Sequence, residues 1–174
     1  MRWPLLGAAL LVVAPAGLHA QRIRASQEAY VRQKVGETWL EVHYRRPTAR
    51  GRELFGGIVG WGRTWTPGAD TATTLKLSAP IRIEEHSLPA GTYSVWMIPD
   101  STGPWTVIFS RAQPVFHIPY PGEEQDQLRL TVTPQPATAM ETLAFYFSRV
   151  DGADATLAMH WGTTVVPMRI HTGP

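Results

Sequence analysis

The chain has 174 residues, a formal net charge of +2 and no cysteine. Disulfide staples and thiolate metal sites are therefore excluded, and the near balance of charge leaves no broad basic surface for nucleic acid. At this length one domain buries roughly 70% of its unfolded surface, so the core alone can hold the fold.

The first twenty residues read as a secretory leader. Arg2 is a positive start, Leu5 to Val13 is apolar, Pro15 and Gly17 break the run, and Leu18-His19-Ala20 ends on a small residue. The apolar stretch is shorter than the ~20 residues a membrane span needs. Cleavage after Ala20 is expected, so residues 1–20 are a signal peptide, 21–28 a polar lead-in and 29–174 the working domain. No integral membrane segment is expected once the leader is gone.

Beyond the lead-in, short alternating runs are separated by Gly, Pro and Asp. Tyr30 to Val35 and Thr38 to Tyr44 form a hairpin around Gly36-Glu37, with Leu40, Val42 and Tyr44 on one face. Residues 45–70 break the rhythm; Arg52 to Ile58 has room for one helical turn, but Gly56-Gly57 opposes a longer helix. Alternation resumes at Thr73 to Leu77 and Ile81 to Ile83. Glu84 to Ser87 turns, and Thr92 to Ile98 and Trp105 to Ser110 follow. A second long loop, 111–126, precedes Leu128 to Thr133 and Thr142 to Ser148. Thr156 to Trp161 and Thr164 to Ile170 flank Gly162-Thr163, which reads as another hairpin turn. No helical stripe appears after the leader. About ten short strands at this spacing predict one all-β domain, an antiparallel β-sandwich of jelly-roll or immunoglobulin-like kind with two long loops.

Four stretches together carry a family resemblance. They are Arg46-Pro47-Thr48-Ala49-Arg50-Gly51-Arg52-Glu53-Leu54-Phe55-Gly56; Thr64-Trp65-Thr66-Pro67-Gly68-Ala69-Asp70 running into Ala72-Thr73-Thr74; Leu88-Pro89-Ala90-Gly91-Thr92-Tyr93-Ser94 through Ile98-Pro99; and Trp105-Thr106-Val107-Ile108-Phe109. In this order they resemble an exported, β-rich bacterial family catalogued as domain of unknown function 2911. The resemblance covers most of residues 28–170 and implies no reaction. Members often carry Arg at the position of Thr66 and Asn at that of Asp70, so an Asp here inverts the local charge.

Catalytic templates fail. Gly57-Ile58-Val59-Gly60-Trp61-Gly62 lacks dinucleotide spacing, and no phosphate loop, zinc-protease helix or nucleophile elbow is present. The histidines are scattered, without short ligand spacing, so no metal and no cofactor is expected. His117 draws attention because its Pro-rich loop also holds Phe116 and Tyr120. Asp70 follows Pro67-Gly68-Ala69, where a short carboxylate serves either a ligand or ordinary turn capping. Arg45, Arg46, Arg50, Arg52 and Arg63 face only Glu53 in opposition. Trp61 and Trp65 either form a stacking platform, with Arg46, Arg52 and Arg63 forking onto carboxylate or phosphate, or plug one end of the sandwich while the arginines bond loop carbonyls.

The preferred expectation is an exported, non-catalytic binding or interaction domain, periplasmic or extracellular, whose partner is a small molecule, glycan or protein and not nucleic acid. Its candidate site is Arg46, Arg52, Trp61, Arg63, Trp65 and Asp70, completed by His117 and Tyr120. Residues 46–70 should make a concave surface on which Arg52, Trp65 and Asp70 approach one another, with Arg52 or Arg63 pairing Asp70 if the loop is a plug. The alternative is an exported hydrolase, acting on glycans, that uses Asp70 with a distant Glu or His; glycoside hydrolysis needs two carboxylates ~5–9.5 Å apart.

Overall fold

A computed structural model describes residues 25–173. The expected leader, and the first half of the lead-in, lie outside the described residues.

Ten strands form two antiparallel sheets. In chain order they are β1 (Gln27–Val35), β2 (Thr38–Arg46), β3 (Thr74–Leu77), β4 (Ile81–Ile83), β5 (His86–Leu88), β6 (Gly91–Ile98), β7 (Trp105–Ser110), β8 (Asp126–Val132), β9 (Gln135–Asp151) and β10 (Asp154–His171). The larger sheet runs β1-β2-β3-β6-β7-β8 and the smaller β5-β4-β10-β9. One 3-10 turn, Glu123–Gln125, precedes β8. The architecture is the expected β-sandwich.

The sequence's alternation decides which faces meet. In β2, Leu40, Val42 and Tyr44 are buried while Trp39 and His43 are exposed. They pack with Leu75, Val95, Phe145 and Met168 in the main core between the sheets. β6 departs from alternation and is buried almost throughout. The reason is a second cover on the sheet's outer side. Trp96, Ile108 and Ala72 form a small core there, under Ile98, Val115 and Tyr120.

The expected hairpin at Gly162-Thr163 is not a turn. β10 is one strand of 18 residues, and the chain reverses at Gly152, between β9 and β10. Gly162 sits opposite Met140 where the register shifts. Its φ is 59°, and a Cβ there would stand 2.7 Å from Leu54 Cδ1. The glycine thus serves a β-bulge with close packing, a use that a turn signal does not separate from a hairpin. β5 is also a strand where a turn into β6 was expected; Ile81–Leu88 and Ile83–His86 pair across Glu84 and Glu85, both at positive φ.

Candidate functional site

The two long loops meet at the end of the sandwich where β2 and β6 finish. The segment after β2 first clips onto β9. Ala49 N–H donates to the Glu141 main-chain oxygen (2.8 Å), and Leu143 N–H donates to that of Pro47 (3.0 Å). Arg46 Nε–H also donates to the Leu143 oxygen (2.9 Å). The chain then folds inward at Phe55 and returns along the end of β6, where Trp65 and Met97 exchange both backbone hydrogen bonds. Thr66 is buried; its hydroxyl donates to the Val95 oxygen (2.8 Å) and accepts Thr73 N–H (3.1 Å).

Aromatic packing drives that fold-back. Phe55 lies edge-on to Trp65, Trp105 and Trp161 at centroid separations of 6.0, 4.7 and 6.3 Å. Trp65 stacks on Trp161 at 6.0 Å and 17°. Each such pair adds ~0.5–1.5 kcal/mol beyond area burial. Trp61 rests against Phe55 and Trp105 but remains half exposed, and it stands outside the cleft described next.

The second loop docks on the first. Ala72 N–H donates to the Val115 oxygen and His117 N–H to that of Asp70. His117 Nδ1 lies 2.8 Å from the same Asp70 oxygen. A carbonyl only accepts, so Nδ1 carries the proton and neutral His117 has its lone pair on Nε2.

Between the loops opens a cleft of about 490 Å³. Its apolar wall includes Trp65, Trp161, Pro47, Ile58 and Ile118. Ile58 and Ile118 are 45% and 63% exposed, a cost in water that neighbouring protein does not relieve. Its polar wall includes Arg50, Arg52 and His117, and no Asp or Glu among the described residues lines it. Arg52 is braced by the main chain: Nε–H donates to Ala49 and Nη2–H to Thr48, both at 2.8 Å.

The structure brings Arg52, Trp65 and His117 to one concavity and leaves the other named residues elsewhere. Gly68 and Ala69 line the cleft beside Asp70, but the Asp70 carboxylate faces Arg45, with Oδ2 3.8 Å from Nε. The pairing with Arg52 or Arg63 expected of a plug gives way to one with Arg45, because Arg52 is committed to carbonyls and Arg45 leaves β2 next to Asp70. Arg46 is held on the Leu143 oxygen, and Arg63 is exposed outside the cleft. Tyr120 belongs to the outer small core, edge-on to Trp96 at 5.4 Å. Arg50, Ile58 and Ile118 join the site although only Arg50 was visible beforehand, as one member of a basic run.

Other concavities are differently built. A hollow of about 200 Å³ on the smaller sheet is lined by Arg82, Arg149, Arg169 and His171. Each of these has a carboxylate: Glu85, Asp151, Glu84 and Asp154 respectively. Among the described residues, no group of three or more metal-ligating side chains comes together. Nor is any helix there long and apolar enough to cross a membrane.

No curated protein and no solved structure matches the chain. A family described as "Protein of unknown function (DUF2911)" matches residues 26–170, from the start of β1 to the end of β10 and through both cleft-forming loops. The chain belongs to that family.

Proposed function

We propose that the protein is a binding domain that works outside the cytoplasm, and that the cleft between its two long loops holds a small amphipathic ligand. The observation that carries this reading is the pair of exposed isoleucines, Ile58 and Ile118, facing a tryptophan-floored cleft with unopposed cationic groups. A mere plug would be expected to turn such side chains inward. Mostly apolar concavities with a few placed polar groups are the usual form of small-molecule sites. The hydrolase reading finds less support. Asp70 does meet a distant histidine, but through its main-chain oxygen, while its carboxylate lies towards Arg45.

Titration of the mature domain with Nile red, an uncharged apolar dye, tests the cleft. Saturable fluorescence enhancement is expected, lost when Ala69→Trp fills the cleft and reduced by Ile118→Ser. Enhancement indifferent to both substitutions would sink the reading. Export is tested separately by intact mass after expression in a secreting host: the chain should begin at Gln21, and retention of residues 1–20 contradicts it.

A further inference from the structure

Arg50 is placed in an unusual way. Arg52 N–H donates to the Ala49 oxygen (3.2 Å), closing a tight turn whose central residues are Arg50 and Gly51, with φ of 53° and 67°. Positive φ at both centres marks a type I′ turn, which favours Asn, Asp or Gly at the first. An arginine there bears steric strain of ~1 kcal/mol or more. The turn is fastened from outside, since Arg50 N–H donates to Glu141 Oε1 (2.5 Å). The backbone is therefore fixed while the side chain stays exposed at the cleft wall, and its guanidinium has no hydrogen bond or ion pair among the described residues.

Arg63 also lacks a side-chain partner among the described residues, but it is exposed outside the cleft; the remaining arginines near the loops are engaged. Arg45 has Asp70, Arg46 has the Leu143 oxygen, and Arg129 has Asp126 and Glu123. Arg52 spends Nε–H and one Nη2–H on carbonyls, so part of its five-donor fork stays available. Two guanidiniums two residues apart thus bound a cleft without a carboxylate in its described wall. Apolar walls lower the local dielectric and strengthen their pull on an anion. The planar fork matches a carboxylate in bidentate fashion.

We propose that the cleft takes a carboxylate-bearing amphiphile, its head group on Arg50 and Arg52 and its apolar body against Trp65, Ile58 and Ile118. This rests on the cleft being a binding site at all. Arg50 anchors the charge, and Arg52, braced by the main chain, sets its position. The ligand's body is uncharged, because no acidic side chain among the described residues is there to meet a second, positive centre.

Three probes with one apolar body test the charge: 1-naphthylacetate, 1-naphthaleneethanol and 1-naphthylmethylamine, each titrated calorimetrically into the mature domain. The acid should bind about tenfold or more tightly than the alcohol, the worth of one hydrogen bond to a charged group, and the amine weakest. Arg50→Gln should remove most of that preference, Arg50→Lys should keep part of it, and Arg63→Gln, outside the cleft, should leave it intact. Equal binding of acid and alcohol overturns the charge assignment while leaving the cleft as a binding site. A preference that survives Arg50→Gln, or falls as far with Arg63→Gln, overturns the role of Arg50. If none of the three probes binds, the cleft reading and this one fall together.

Discussion

Two long loops cover this sandwich, and they solve the same problem in opposite ways. Both carry aromatic rings beside arginine. The loop over the outer face of the larger sheet seals Trp96 of β6 and ties down its own Tyr120, although its Phe116 stays exposed. Trp96 is wholly buried, and its indole N–H donates to Ser94 Oγ (2.9 Å). Tyr120 donates its hydroxyl hydrogen to Asp126 and accepts from Arg129 Nη2 (3.0 Å), while Arg129 also reaches Asp126 and Glu123. The loop between β2 and β3 seals Phe55 and Trp161 but leaves Ile58, Arg50 and Arg52 at an open wall. Composition does not separate the two regions. The supply of carboxylates does. Glu123 and Asp126 sit within reach of Arg129, whereas at the cleft Asp70 is turned to Arg45, Glu141 takes the Arg50 main-chain N–H, and Glu53 does not line the wall. A charge with its partner built in closes a loop; a charge without one leaves room for a ligand.

The sharpest way to break the contrast is at the sealed region. Asp126→Ala removes the acceptor for both Tyr120 and Arg129, whose side chains are mostly screened from water. A loss of ~1–3 kcal/mol is expected in urea unfolding, as for other groups stranded without a partner. A change below about 0.5 kcal/mol, the usual range for surface substitutions, would mean that the network does not hold the loop.

A smaller effect should follow pH. Burial, and then the hydrogen bond to Asp126, push the Tyr120 phenol up from 10.0 to about 12. The neutral phenol is thus favoured by folding. Its contribution is complete below pH 10, where both states are protonated, and is lost as pH rises towards about 12. The urea midpoint should fall across that window, and Tyr120→Phe should flatten the fall. An equal fall in the variant would place the titration elsewhere; Tyr93, also raised by burial, is then the candidate.

The smallest effect belongs to the open region. Arg50→Gln should change stability by no more than about 0.5 kcal/mol, because its side chain holds no partner among the described residues. A loss above ~1 kcal/mol would show the guanidinium to be structural and the wall closed.

Much of this fold was legible from residue types, and the reasons are local. The β1–β2 hairpin follows from alternation on both sides of Gly36. The return of 46–70 onto the strands follows from the cost of leaving tryptophans in water. What alternation does not encode is which distant element answers a given charge. Asp70 meets Arg45 and not Arg52 because β2 ends beside it, a fact of topology. Tyr120 and His117 are three residues apart in one loop, yet His117 is drawn to the Asp70 carbonyl and Tyr120 to Asp126 on the other side. Arg50 looked like one of several basic residues; its positive φ and the Glu141 contact, 91 positions away, set it apart. The bulge at Gly162 was hidden for a different reason, since a glycine between two β runs has the same signature in a bulge and in a turn.

Occupation of the cleft is tested most directly by a two-dimensional proton–nitrogen NMR titration of the protein with 1-naphthylacetate. Saturable shifts are expected in the Trp65 indole and in the amides of Thr48 to Arg52, Gly68, Ala69, His117 and Ile118, with Trp96 and residues 123–129 unmoved. Shifts centred on the Trp96–Tyr120 region, or spread over the surface without saturation, would contradict it.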